Sequence, residues 1–343
     1  MSIKQFLDEL KEIHKNLLEY LDNESEMEVN FQILTKNFDN YNIRKDQHIL
    51  KSLLRLLLNI ANNHHRHPTF FNKIEKIILI FKDQIEQSFS NIEIYNIFKE
   101  NKRILLFLIE EKILKLDEQI VDKLSFDEYF APEVKSFKHE TQNNLLENFE
   151  ENRKKGENDD YICQLIQKDL IEEFITYVKK TNYDLSSNIK YSIYETNLLL
   201  NKTTTLIEYA AFFGSTQIFN YLRKNKVDLE ESLWIYAIHG RNPEIIDILI
   251  NESNLKINIE ECLIESIKCH HNEILNYFQK NYSEKIYYVN NLISKILKYN
   301  YFDLLQEEYI NRQSFHLLCK YDYYKMVKIL LDNADIDVNE LII

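Results

Sequence analysis

Three histidines within four residues, in Asn62-Asn63-His64-His65-Arg66-His67, form the densest concentration of chemistry-bearing side chains in this sequence. Neutral imidazoles ligate zinc and copper. Ligands must converge on one point, however, and adjacent side chains on a loop diverge unless partners arrive from elsewhere. The stretch is therefore expected to make loop contacts, cap a helix and pack on the next unit, with Pro68 fixing the following helix start. A second cluster, Cys269-His270-His271, follows Cys262 by seven residues. Two helical turns can bring the two thiols to one face, but the Cys-x-x-Cys spacing of a zinc knuckle is missing. A core or surface role is expected there, with no metal and no cofactor. The chain also lacks a Gly-x-Ser-x-Gly elbow, a Gly-rich phosphate loop and a His-Glu-x-x-His helix. The carboxylate pairs Glu230-Glu231 and Glu260-Glu261 stand beside helix starts, where they favour the positive end of the helix dipole. A non-enzymatic protein is the reading these residues favour.

The elements that position these residues are helical. Among 343 residues there are only 3 Gly and 3 Pro, so the residues that make hairpins and tight turns are almost missing. The fold class expected is all-α. A formal net charge of -13 argues against a nucleic-acid partner, since that binding begins with clustered Lys and Arg on phosphates. The longest apolar runs, such as Ile77 to Phe81 and Ile104 to Ile109, fall far below the roughly 18 residues of a membrane span, so no membrane insertion is expected. The N-terminus reads as an amphipathic helix and not as a signal peptide, and a cytoplasmic location is expected. Cys163, Cys262, Cys269 and Cys319 are expected as reduced core thiols.

Residues 1–131 read as degenerate helix pairs. Leucines at 50, 53, 54, 57 and 58 make a core-facing stripe that Asn62 and Asn63 can end, and Ile74, Ile77, Ile78 and Phe81 supply the next buried face. Residues 132–160 are polar and read as a linker or loop. From 161 to 343 the apolar stripes return in a repeat. Anchors at Gln217, Glu244, Glu273, Asp303 and Lys325 open the second helix of successive copies, separated by 27, 29, 30 and 22 residues. Upstream of each lies a shorter first helix.

The best copy, Thr205 to Leu222, resembles the ankyrin repeat through Thr205, Ala210, Ala211 and Gly214; the last copy does so through His316, its MVKILL segment and Ala334-Asp335. No copy keeps the Thr-Pro pair, and Glu208 replaces the histidine of the first. The strings NIANNHHRHPTFFNKIEKIILIFKD, TLIEYAAFFGSTQIFNYL and SLWIYAIHGRNPEIIDIL are similar to the large ankyrin family of trichomonad-type protists and its associated domain of unknown function. The resemblance implies a helical-repeat solenoid and protein binding, with no catalytic residues.

In ankyrin-type stacks the end of each first helix faces a concave groove. That position holds Phe212, Phe213, His239, Lys268, Tyr299 and Tyr321, which are the expected protein-binding residues. Trp234 is expected to be buried in the seam between copies. The function expected is a scaffold or adaptor for an unidentified partner protein. The alternative is a structural protein that self-associates end to end, motivated by the apolar tail Val338 to Ile343, as though a following repeat were missing. An enzyme is the third reading.

Overall fold

Helix starts along the chain are set by side chains that accept from otherwise unpaired backbone N–H groups. Ser2 accepts from Gln5, Asn101 from Ile104, Asp117 from Ile120, Asn242 from Glu244 and Ile245, and Asn258 from Glu261. At Thr205 the cap is reciprocal: Glu208 N–H donates to Thr205 Oγ1 at 3.3 Å, and Thr205 N–H donates to Glu208 Oε2 at 2.8 Å. Glu208 is therefore half of a capping box. It also accepts from Ser232 Oγ of the following helix pair at 2.6 Å.

The computed structural model describes residues 2–23, 27–140, 148–201, 203–252, 255–282 and 292–333. These residues are all-helical, with no strand beyond an isolated bridge between Asn188 and Thr205. The apolar tail from Val338, and Ala334-Asp335, lie outside the described residues. Among the described residues no helix is long and apolar enough to cross a membrane. The chain forms two compact units, one drawn from Met1–Ile60, His67–Gln84 and Glu284–Ile343, the other from Ala61–Arg66 and Ile85–Ser283.

In the first unit the helix Ile3–Asp22 buries Phe6, Leu7, Leu10, Ile13, Leu17, Tyr20 and Leu21. It packs on Met27–Asn40 and Phe70–Ile80, and also on the C-terminal segments Phe302–Leu304, Glu307–Tyr309 and Tyr324–Asn333. Buried His14 sits edge-on to Tyr301 and Phe302, with centroids 5.8 and 6.0 Å away. Lys73 is fully buried and caps the end of the first helix, donating to the carbonyls of Tyr20, Leu21 and Asn23 at 2.9, 3.1 and 2.9 Å.

The other unit contains the helix pairs that read most clearly in sequence. The first helices Tyr161–Gln167, Leu206–Phe213, Leu233–Gly240 and Ile259–Lys268 pack each on the next. The second helices Ile171–Thr181, Thr216–Lys224 and Pro243–Ile250 do the same, and Asn272–Asn281 packs on its own first helix. One turn recurs between the members of a pair, with a left-handed residue at Asp169, Gly214, Arg241 and His270, and in the first unit at Asn300 and Asp322. From Gly214 onward each lies three residues before the anchors Gln217, Glu244, Glu273, Asp303 and Lys325. Most of these turns share the bond that closes a Schellman motif, as in Leu170 to Leu165, Ser215 to Ala210, His271 to Ser266, Tyr301 to Ile296 and Tyr323 to Leu318. Successive turns are also tied sideways. The Asp169 carboxylate accepts from the N–H groups of Gln217 and Ile218 at 3.0 and 2.9 Å, Ser215 Oγ donates to the Ile166 carbonyl, and Asn242 Nδ2 donates to the Gly214 carbonyl at 2.9 Å.

Four expectations are corrected. The expected division at residues 132–160 falls inside a compact unit, and 161–343 is divided between two units, because the copies anchored at Asp303 and Lys325 belong with the N-terminal helix. The polar segment is no free linker, since Arg153 within it is 1% exposed and donates to Glu133, Glu150 and the Tyr129 carbonyl at 2.7, 2.5 and 2.9 Å. The copy anchored at Asp303 has no second α-helix but two short 3-10 turns, because its buried residues Tyr301, Phe302, Leu305 and Ile310 lie in a segment too polar for a helical stripe. Cys163, Cys262 and Cys269 are buried, whereas Cys319 is exposed because its short helix Phe315–Lys320 buries only Phe315 and Leu318.

Lys226, left-handed at φ 61° just after Thr216–Lys224, has an exposed side chain. Lys226→Gly is expected to raise stability by about 0.5–1 kcal/mol, since glycine adopts this region without the Cβ penalty. An unchanged or lower urea midpoint would show that the turn carries no strain.

Candidate functional site

The left-handed turn gives a common register for the ends of the first helices. Two residues before it stand Phe212, His239 and Lys268, and one residue before it stand Phe213, Gly240 and Cys269. Close packing of successive first helices brings the first set into a line. The Phe212 ring stacks on His239 with centroids 5.4 Å apart and planes 24° from parallel, and Phe213 meets Phe212 edge-on at 5.1 Å. His239 Nε2 lies 2.5 Å from Glu265 Oε1, and Lys268 Nζ donates to the same oxygen at 2.8 Å. Gly240 permits this spacing, since a Cβ there would lie 2.1 Å from the carbonyl oxygen of Ala211.

The expected exposure of this line is corrected. Phe212 and His239 are 4% and 2% exposed, so they are packing residues and not a contact surface. The reason is the close approach at Gly240, which brings Leu206–Phe213 and Leu233–Gly240 together over these side chains. Phe213 is half-buried and the Lys268 side chain keeps 24% exposure, so these two are the accessible members of the line. Tyr299 and Tyr321 belong to the other unit and are each half-buried there. Lys298 Nζ sits 5.1 Å from the Tyr299 ring, and the Tyr321 hydroxyl lies 3.2 Å from Ser294 Oγ. Trp234 is 3% exposed and meets Phe278 edge-on at 6.1 Å.

The electrostatics of the line follow from its burial. Burial pushes His239 below the ordinary imidazole range, against the pull of Glu265, so the ring is neutral at neutral pH. Burial would also raise Glu265, but the hydrogen bonds from His239 and Lys268 and the charge of Lys268 outweigh it and hold the carboxylate below its usual range. Neutral His239 therefore donates through Nε2–H to ionised Glu265. Its other nitrogen, Nδ1, is buried without a hydrogen-bond partner.

The histidine-rich loop reaches the same neighbourhood within this unit. His64 Nδ1 lies 2.6 Å from the Cys269 carbonyl oxygen, and the His64 and His271 rings are 4.9 Å apart. His270 occupies the left-handed turn position. His271 is 1% exposed, neither ring nitrogen has a hydrogen-bond partner, and burial drives it well below the usual imidazole range. The rest of the loop is structural. Arg66 donates to Thr196 Oγ1 at 3.2 Å and faces Glu195 at 3.6 Å, while the Asn62 side chain accepts from Asn101 at 2.8 Å.

Among the described residues, His239, Glu265 and Cys269 each offer one donor atom, all within 4.8 Å of one another. Sequence reasoning marked His239 and Cys269 but passed over Glu265. Its signal was its place on the helix, four residues before Cys269 and three before Lys268, which puts all three on one side. No family model, curated protein or solved structure matches this chain.

Proposed function

We propose that this chain is a non-enzymatic protein-binding scaffold of the ankyrin type, acting in the cytoplasm through the ends of its first helices. The observation that carries the reading is the recurring left-handed turn, held three residues before each anchor and tied sideways to its neighbours. Such turns make a repeated, stacked unit of the helix pairs at 161–281, and stacked units present a continuous face for a partner. Phe213 and Lys268 supply an aromatic and a cationic contact at its rim, over a buried layer of Phe212 and His239. Tyr299 and Tyr321 are the corresponding contact residues proposed for the other unit.

The enclosed thiols favour binding over chemistry. Burial pushes Cys262 up to about 12, and Cys163 and Cys269 also well above the ordinary thiol range, so none offers a thiolate nucleophile near neutral pH. Affinity capture with mass spectrometry, followed by titration of the purified partner, tests the assignment. Phe213→Ala combined with Lys268→Glu is expected to weaken binding at least tenfold, about 1.4 kcal/mol, with the helical circular dichroism unchanged. Wild-type affinity in that variant would remove the rim from the reading, and a purified chain that associates only with itself would favour the self-association alternative.

A further inference from the structure

We propose that His239, Glu265 and Cys269 form a binding site for a divalent transition-metal ion of the zinc class, with water completing the coordination. The inference stands apart from the protein-binding reading and holds whether or not the rim contacts a partner. An imidazole nitrogen, a carboxylate oxygen and a thiolate sulfur form a set that zinc accepts and that magnesium or calcium does not favour. Glu265 and Cys269 are one helical turn apart at the end of Ile259–Lys268, and His239 comes from the equivalent end of the preceding first helix. Their donor atoms lie within 4.8 Å of one another. Bond lengths of about 2.0–2.3 Å place tetrahedral zinc ligands roughly 3.2–3.8 Å apart, so the three close by about 1 Å around an ion.

A second observation points to a ligand. His239 Nδ1 is buried without a hydrogen-bond partner. Buried polar atoms in native structures are almost always satisfied, and unpaired ones call for an explanation such as an ion. The hydrogen-bonded line of His239, Glu265 and Lys268 satisfies the carboxylate but leaves this nitrogen unused.

Lys268 is the built-in competitor. Its ammonium group neutralises Glu265 at 2.8 Å, but the side chain is 24% exposed and can turn to solvent when an ion takes its place. On binding, the Cys269 thiol loses its proton to solvent, the sulfur lone pair forms the bond to the metal, and Lys268 keeps its proton. Glu265 and the Cys269 thiolate together balance the ion's charge.

Cobalt(II) titration of the chelator-stripped full chain, followed by zinc displacement, tests the site. One equivalent of cobalt is expected to give a sulfur-to-cobalt charge-transfer band and the intense visible bands of tetrahedral coordination, both erased by zinc. Cys269→Ser should remove the charge-transfer band, and His239→Gln should weaken cobalt binding at least tenfold. Lys268→Met replaces a partly exposed side chain without unfolding the helix and should tighten binding severalfold. A wild-type chain without the sulfur band overturns the proposal. So does a band that survives Cys269→Ser, which would place the sulfur elsewhere, or an affinity unmoved by Lys268→Met, which would separate the ion from Glu265. No partner protein enters this experiment, so its failure leaves the scaffold reading untouched.

Discussion

At pH 8, where Glu195 is ionised, Arg66→Met is expected to cost about 3–5 kcal/mol of stability, the scale for stranding one member of a buried ion pair. Arg66 and Glu195 are 3.6 Å apart, with side chains only 4% and 1% exposed. Arg66 also donates to Thr196 Oγ1, and Glu195 accepts from the N–H groups of Asn197 and Asn158 at 2.8 and 3.3 Å. The pair thus joins the histidine-rich loop to residues 195–197 and to residue 158. Burial raises Glu195 to about 7, with Glu157 adding to the rise and Arg66 and the two backbone N–H groups opposing it. Because the folded pKa lies above the unfolded one, folded Glu195 retains a proton between about pH 4.5 and 7 that the unfolded chain has released. Its contribution is therefore full below that window and is lost as pH rises through it, by about 3 kcal/mol at 1.36 kcal/mol per pH unit. Glu195→Gln should flatten this slope, while Arg66→Met should push the loss to higher pH. Urea unfolding of wild type and both variants at several pH values between 5 and 8 reads both effects. Equal slopes in wild type and Glu195→Gln, or a cost below about 1 kcal/mol for Arg66→Met, would show that water or relaxation screens the pair.

Gly240→Ala should cost about 3 kcal/mol, toward the upper end for overpacking. The added Cβ would lie 2.1 Å from the Ala211 carbonyl oxygen and 3.1 Å from that of Phe212. Both are backbone atoms, so no rotamer change relieves the clash, and Leu206–Phe213 and Leu233–Gly240 must separate. Separation would also open the stack of Phe212 on His239. Gly214→Ala is a useful contrast, because there the new Cβ meets the Asn242 side chain at 3.2 Å and the cost comes mainly from φ +67°. Thermal or urea unfolding of the two variants checks the order. A change of less than about 1 kcal/mol at Gly240 would mean that these helices are not held as closely as described.

Much of this fold is legible in the sequence. The stripe at 50, 53, 54, 57 and 58 becomes the helix Gln47–Asn63, and Gln217, Glu244, Glu273 and Lys325 each fall on the second residue of an α-helix. The candidate site was legible only in part. Phe212 and His239 were placed at the right end of the right helices but on the wrong side of the surface, because their burial depends on Gly240, a residue that local periodicity treats as a plain helix end. Glu265 escaped notice because a carboxylate on a helix reads as solvated until its partner, 26 residues upstream, is known.

The sequence alone determined the helical class, the starts of four of the five second helices and the spacing of the turns at 27, 29, 30 and 22 residues. Apolar stripes and capping side chains act within a few residues, so a linear pattern carries them. Only the tertiary structure decided that the N-terminal helix packs with the copies anchored at Asp303 and Lys325. It alone paired Arg66 with Glu195, turned His239 inward and set Cys269 beside Glu265. Each of those outcomes depends on close approach between segments far apart in the chain, and the energy of such a contact is written in neither segment by itself.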